Sequence, residues 1–144
     1  MARKFGFTPV VDGDDLVVRG TIASNFGDPA DVASGQDNGV GASGFRYIDH
    51  PEYMGVALPM RGFKVPSLYG SPIPRLPWYT DVRVFCPATN KVVMAKVVDL
   101  GPSGGLNRGI DLLQAVVKGL GLRMKDGLYR VDYRIVGGAK YLKK

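Results

Sequence analysis

The spacing of apolar residues along this chain predicts a series of short strands. Residues 128–136 show it best, because Tyr129, Val131, Tyr133 and Ile135 alternate with charged residues, the period-two pattern of a strand that buries one face. Runs rich in valine predict further strands, at residues 15–23, 54–58, 81–86 and 92–98. The pattern therefore favours a fold built mainly from β-strands.

The connections between these strands carry their own signals. PATNK, between 81–86 and 92–98, predicts a hairpin because it is short and contains a turn-forming asparagine, and Gly20 predicts a bulge in the first strand. Residues 26–44 are rich in glycine, aspartate and serine, so we expect a loop, and loops of this length in small domains are usually functional. Five prolines within 59–79 exclude a helix or a central strand there.

One helix is predicted, over the run LLQAVVKGLG. Asp111 is placed to act as its N-cap, Gln114 follows three residues later as in a capping box, and Gly119 or Gly121 ends it. About six strands and this one helix together predict a small β-barrel against which the short helix packs.

The composition agrees with one small domain. The chain has 144 residues, and its 20 glycines and 10 prolines leave little room for long helices. We expect an N-terminal extension at 1–14, the barrel at 15–137 and a basic tail at 138–144. The single cysteine, Cys86, excludes an internal disulfide, and its position in an apolar strand predicts a buried packing role.

The net charge of +6 favours an anionic partner, such as nucleic acid, an anionic membrane surface or an acidic polymer of the bacterial wall. The basic residues are spread out except in the tail KYLKK, so nucleic acid is not the partner we expect. No apolar run approaches the ~20 residues of a membrane span. MARKFGFTPVV also lacks the apolar stretch of a secretion signal. We therefore expect that the protein acts where it is made, that it is delivered by another route, for example within a phage particle, or that a leader precedes the sequence given.

No metal or cofactor is expected. Asp28, Asp31 and Asp37 share the long loop, but they lack the regular alternate-ligand spacing of a calcium loop. GPSGGLNRG lacks the Gly-Lys-Ser/Thr ending of a phosphate-binding loop and the spacing of a dinucleotide fingerprint. Asp111 would also repel a phosphate at the start of the predicted helix.

The most informative segment is VVDLGPSGGLNRGIDLLQA, residues 97–115. A β-branched strand ends there in Asp99, a turn containing Gly101 follows, and a glycine-rich loop leads to Arg108 and Asp111. The strand end places Asp99 at the mouth of a barrel, beside residues small enough for a polymer to approach the backbone closely.

This segment resembles the double-psi β-barrel families, which include the rare-lipoprotein-A-like lytic transglycosylases, the three-aspartate domains, the expansins and the endoglucanases related to expansins. Their pattern, Asp-x-Gly-Pro followed by Arg-x-Ile-Asp-Leu at a helix start, is similar to DLGP at 99–102 and RGIDL at 108–112. IASNFG at 22–27 and LPWYTDVRV at 76–84 resemble two further family segments in the same order. The resemblance implies a mainly β, six-stranded double-psi β-barrel with one or two short helices.

The resemblance also implies that Asp99 is a general acid. Cleaving a glycosidic bond requires a proton on the leaving oxygen, and a carboxyl in a partly apolar cleft can have a raised pKa for this task. Val97 and Val98 before Asp99, and Gly101 and Pro102 after it, predict few competing hydrogen-bond donors. A hydrolase needs a second carboxylate to activate water, whereas in a lytic transglycosylase the sugar's own hydroxyl closes on the anomeric carbon.

Each candidate also has a structural interpretation. Asp99 is equally compatible with a carboxylate that accepts N–H bonds in its own turn, and Asp111 is expected mainly to cap the helix and shape the loop facing Asp99. Arg108 is a candidate to bind substrate carboxylates or a solvated loop residue. Tyr47 and Trp78 are candidates to stack on sugar rings, although aromatics near prolines more often pack internally.

The chain departs from its relatives at several positions. SPIPR occupies the stretch where the lipoprotein-A-like group carries a histidine, and Pro59 follows VAL where the three-aspartate domains have an aspartate. Asp28 is the carboxylate nearest to the base of the endoglucanases, with a different spacing. Asp99 is therefore predicted to act as a lone acid.

Two functions remain open at this point. The leading hypothesis is a barrel that cleaves peptidoglycan glycan strands, or another acidic wall polysaccharide, at the bacterial envelope. The alternative is a non-catalytic barrel that binds polysaccharide or serves as a structural component of an assembly such as a phage particle.

Overall fold

A computed structural model describes residues 5–28, 38–102 and 107–142 of the chain. The described residues form seven strands, which are β1 (Val10–Asp12), β2 (Asp15–Asn25), β3 (Gly55–Leu58), β4 (Asp81–Cys86), β5 (Lys91–Leu100), β6 (Arg108–Leu112) and β7 (Leu128–Ile135). They also form two short helices, which are α1 (Gln114–Gly119) and α2 (Ala139–Leu142). Asp31 and Asp37 lie outside the described residues.

Six of these strands close into a barrel. The order is β2-β6-β3-β5-β4-β7, and β7 pairs back with β2, while β1 adds to the outside of β2. Two pairs are parallel, β2 with β6 and β3 with β5, and the others are antiparallel. Fully buried apolar side chains fill the interior, among them Leu16, Leu58, Val97, Leu112 and Ile135. The mainly β barrel predicted from the sequence is confirmed.

The apolar patterns in the sequence correctly predicted most of the strands. Every predicted strand is present, with ends that differ by at most two residues. The bulge at Gly20 is confirmed, because the pairing of β2 with β7 shifts register between Val18 and Thr21, and Gly20 has a φ of +66°. Cys86 is a buried free thiol, as predicted.

The predicted start of the helix was wrong. Asp111 lies in β6, and α1 begins at Gln114 with Leu113 at the N-cap and no side-chain capping bond. The reason is tertiary, since β6 pairs with β2 on one side and with β3 on the other. Because both edges of β6 are hydrogen-bonded to other strands, Asp111 is part of a strand and does not cap the helix.

The first and last described segments of the chain pack on the barrel. Phe7 is 7% exposed and belongs to the core, and β1 pairs with the first residues of β2. At the other end, Tyr141 and Leu142 of α2 pack against the same core, and the Ala139 N–H donates to the Asp14 carbonyl at 3.0 Å. In the described ranges, no helix has the length and hydropathy needed to cross a bilayer.

One buried hydrogen bond ties β7 to β6. The Tyr133 hydroxyl, on a side chain that is 1% exposed, donates to the Gly109 carbonyl at 2.9 Å, and burial raises the pKa of Tyr133 so that the donor proton is retained. We expect Tyr133→Phe to lower the free energy of unfolding by about 1 kcal/mol, the usual net value of one such bond. Urea unfolding measures it, with the exposed Tyr69→Phe as control. Equal stability of the two variants would contradict the prediction.

Candidate functional site

Four residues on four neighbouring strands form a row across one end of the barrel. Ser24 of β2 pairs with Asp111 of β6, Asp111 pairs with Ala57 of β3, and Ala57 pairs with Asp99 of β5. Adjacent strands lie about 4.8 Å apart, so the Cα atoms of the two aspartates are separated by about 10 Å. Only the methyl group of Ala57 stands between them. The row brings two carboxyl groups to the same end of the barrel.

The Asp111 carboxyl is the more enclosed of the two groups. Its side chain is 17% exposed, and its Oδ1 accepts a short hydrogen bond from the Ser24 hydroxyl. Burial raises the pKa of Asp111 from 3.8 to about 6, against the opposing effects of the Ser24 bond and the Arg108 charge. The negative charge of Asp99 adds to the rise. Asp111 is thus a carboxyl that holds its proton to nearly neutral pH.

Arg108 is linked to Asp111 by hydrogen bonds that pass through the Ser24 hydroxyl. Its Nη2 donates to Ser24 Oγ at 2.6 Å but lies 3.9 Å from Asp111 Oδ1, which is too far for a hydrogen bond. The serine hydroxyl therefore accepts from Arg108 and donates its own proton to Asp111. Within the described part of the chain, Arg108 Nε is buried and has no hydrogen-bond partner.

Gly101 lies beside the second oxygen of Asp111. A Cβ atom at Gly101 would stand 3.6 Å from Asp111 Oδ2, and its φ of +124° disfavours any residue with a side chain. Its N–H donates to the Leu58 carbonyl at 3.0 Å, which holds the turn at the end of β3. Gly101 therefore lies beside the carboxyl row, and its role in supporting the site stays a prediction.

The Asp99 carboxyl accepts two backbone hydrogen bonds. Oδ1 lies 2.8 Å from the nitrogen of Ala42 and 2.8 Å from that of Leu100. The expectation of few competing donors was wrong, because the loop containing Ala42 folds onto the end of β5. Gly41 makes this approach possible, since a Cβ there would come within 2.3 Å of the Val98 carbonyl oxygen.

A small aromatic cluster supports that loop. Tyr47 is 6% exposed and packs with Val98 and Leu113, and its ring meets Phe26 edge-on at 5.2 Å. Tyr47 is thus a buried packing residue beneath the site, and too little of its ring is exposed to stack on a sugar ring. Asp28 is partly exposed on the chain that leaves β2, four residues beyond Ser24.

Trp78 lies in a different part of the barrel. Its ring packs on Phe63 at 5.2 Å between centroids, and it lines a cleft of about 280 Å³ together with Arg75 and Tyr141. No residue of the carboxyl row lines this cleft. The structure therefore does not bring Trp78 to the site built around Asp99.

Sequence reasoning missed three participants. Ser24 was part of a family-like segment but carried no assigned role, and Gly41 and Ala42 were only loop residues. Nothing local indicates that Ser24 meets Asp111, 87 residues further along the chain. Within the described residues, no group of three or more histidine, cysteine, aspartate or glutamate side chains is arranged to hold a metal ion.

The arrangement combines two different carboxyl environments. Burial raises the pKa of Asp111 to about 6, whereas Asp99 is partly exposed and one of its oxygens accepts two backbone N–H bonds. Such a pair can deliver a proton to a leaving group and accept one later.

Similar proteins are found among solved structures, although the sequence matches no protein-family profile and no curated protein. The Streptomyces papain inhibitor (SPI) has a TM-score of 0.51 and 21% identity over 86% of this chain and 96% of the inhibitor. An expansin from Clavibacter michiganensis, solved alone and as a mutant in complex with cellohexaose, has a TM-score of 0.48 and 18% identity. The match covers 80% of this chain and 48% of the expansin chain.

The fold is thus the double-psi β-barrel that the segment 97–112 predicted, with a closed six-stranded barrel in the described residues. At these identities the likeness establishes the fold and leaves the function to the site.

Proposed function

We propose that this chain cleaves a wall polysaccharide, most specifically the glycan strands of peptidoglycan, with Asp99 and Asp111 as a pair that holds the catalytic proton. The observation that carries this proposal is the row Ser24–Asp111–Ala57–Asp99, which places two carboxyls at one barrel end with a single small residue between them. The basic surface, with a net charge of +6, would attract an acidic wall polymer.

The lytic reaction needs only one proton-transfer site. The pair donates its proton to the glycosidic oxygen as the bond to the anomeric carbon breaks, and the pair is then fully ionised. The sugar's own hydroxyl closes on the anomeric carbon and returns its proton to the pair, so no water is consumed. Asp99 is the partly exposed member, which faces a bound chain and gives the proton to it, and Asp111 is the enclosed member, whose raised pKa keeps a proton within the pair at mildly acidic pH.

The proposal is tested on purified wall sacculi. Wild-type protein is expected to release fragments with anhydro-sugar ends, detected by mass spectrometry, and the rate should fall as the pH rises through about 6 and the pair loses its proton. Asp99→Asn and Asp111→Asn should each lower the rate at least about 100-fold, the lower end of the range for losing a general acid.

The control is Asp14→Asn, an exposed carboxyl in the turn between β1 and β2, which should cleave as the wild type does. Circular dichroism and thermal unfolding establish that each variant is folded. If folded Asp99→Asn and Asp111→Asn variants release fragments at the wild-type rate, the carboxyl pair is not the catalyst. If the folded wild type releases none at any pH from 4 to 8, the cleavage proposal fails.

A specific observation favours a second candidate, a non-catalytic barrel that binds polysaccharide. One oxygen of each carboxyl is already occupied, Asp99 Oδ1 by two N–H groups and Asp111 Oδ1 by the Ser24 hydroxyl. Carboxyls held in this way also suit a purely structural role at the end of the barrel. Binding to sacculi without any soluble product would support this candidate over the first.

A further inference from the structure

A second cleft lies between the proline-rich segment and helix α2. It has a volume of about 610 Å³, and its lining includes Arg61, Lys64, Arg75, Tyr69 and Tyr141. This size is within the range of roughly 300–1,000 Å³ that is common for ligand sites. The carboxyl row belongs to β2, β3, β5 and β6, so the cleft is built from other parts of the chain.

The charge of this cleft is entirely positive. It is lined by two arginines and one lysine and by no aspartate or glutamate. Across the described residues, none of these three cations forms an ion pair with a carboxylate, whereas Arg46, Arg108, Arg123 and Arg134 each do. Three neighbouring cations without a counter-charge repel one another, and an anionic ligand would relieve that repulsion.

The two arginines are held in position by the backbone. Arg61 Nη1 donates to the Ser71 carbonyl at 3.1 Å, and Arg75 Nη1 donates to the Gly62 carbonyl at 3.0 Å. Arg75 also stacks on the Phe63 ring, with its guanidinium carbon 4.1 Å from the ring centroid. A fixed guanidinium loses little entropy on binding, and its planar fork matches a carboxylate.

The chain segment around the cleft is anchored to the barrel. Met60 and Ile73 are fully buried and form a parallel bridge, and the Arg61 N–H donates to the Ile73 carbonyl at 3.0 Å. Lys64 has a φ of +55°, a conformation that residues with side chains seldom adopt. The three cations therefore lie on a surface segment that hydrogen bonds and buried side chains fix to the barrel.

Two tyrosine rings also line the cleft. Tyr69 is 61% exposed in the cleft, and Tyr141 lines it from α2. The cleft of about 280 Å³ that contains Trp78 shares Arg75 and Tyr141 with it, so the two clefts adjoin. Exposed rings offer flat apolar faces with polar edges, which suit sugar rings. Two adjoining clefts suit consecutive units of a chain better than one small molecule.

From these contacts we propose that the joined clefts bind an anionic polysaccharide whose sugar rings carry carboxylates. Arg61, Lys64 and Arg75 pair with the carboxylates, and Tyr69 and Tyr141 contact the rings. This binding does not depend on cleavage at the carboxyl row, and it adds to the proposed function a second site that would hold a polymer on the barrel.

The probe is oligogalacturonate, with affinity measured by calorimetry and the location by NMR chemical-shift changes. We expect saturable binding that weakens with salt and shifts the amides of residues 61–75. Lys64→Gln and Tyr69→Ala should each weaken binding by about five-fold, the value of one exposed ionic or ring contact. Lys118→Gln, which removes one exposed charge on α1, should bind as the wild type does.

Three results would overturn the proposal. They are equal affinity for a neutral cello-oligosaccharide, equal affinity of Lys64→Gln and Lys118→Gln, and tighter binding of single-stranded DNA than of oligogalacturonate at the same salt. Asp99→Asn should bind oligogalacturonate with wild-type affinity. That variant separates the two proposals, because loss of sacculus cleavage with retained oligogalacturonate binding leaves this second site intact.

Discussion

Asp111→Asn is expected to remove the loss of stability that the Asp111 carboxyl causes as the pH rises from about 4 to about 6. The Asp111 carboxyl titrates near pH 6 in the folded state because burial disfavours its charge, whereas its ordinary pKa is 3.8. Between these values the Asp111 carboxyl binds more protons in the folded state than in the unfolded state, so its contribution to stability is greatest below about pH 4 and falls as the pH rises through 6. The loss attributable to this group is at most about 3 kcal/mol.

Urea unfolding at several pH values between 4 and 8 measures this effect. Asparagine has nearly the same size as aspartate, and its carbonyl oxygen can still accept the Ser24 hydrogen bond. Asp111→Asn should therefore gain stability relative to wild type as the pH rises. Asp14→Asn, at an exposed turn, should follow the wild-type curve. A stability difference between Asp111→Asn and wild type that stays constant with pH would contradict a raised pKa at Asp111.

Gly41→Ala is expected to cost about 1–3 kcal/mol, the usual range for forcing an extra carbon into a packed site. Its Cβ would stand 2.3 Å from the Val98 carbonyl oxygen, and a backbone atom cannot rotate away as a side chain can. The loop would have to lift from β5, which breaks the Ser43 N–H bond to Val98 and the Ala42 N–H bond to Asp99. We therefore also expect slower cleavage of sacculi.

The control for Gly41→Ala is Ala42→Ser, one residue further along the same loop. Ala42 is exposed, and serine keeps the N–H that donates to Asp99. Thermal and urea unfolding give the stability of both variants, and the amide signal of residue 42 in NMR spectra reports whether the bond to Asp99 remains. An unchanged amide signal and wild-type stability in Gly41→Ala would show that the loop does not depend on this contact.

Both predictions concern contacts between segments that are distant in the sequence. Ala42 and Asp99 are 57 residues apart, and Ser24 and Asp111 are 87 residues apart. The strand β6 illustrates the same difficulty, since RGIDL contains glycine and aspartate, which are poor strand formers. It is a strand because β2 and β3 supply hydrogen-bonding partners on its two edges.

The sequence by itself determined the features that depend on neighbouring residues. The alternation in residues 128–136 and the valine-rich runs predicted strands of the barrel, and Gly20 predicted a bulge in the first of them. The segment 97–112 predicted the double-psi topology. It also placed Asp99 at the end of a strand. Only the tertiary structure decided that Asp111 is a buried carboxyl in the same row and that a loop donates to Asp99. Pairing register and burial set those relations, and both arise only when distant strands meet.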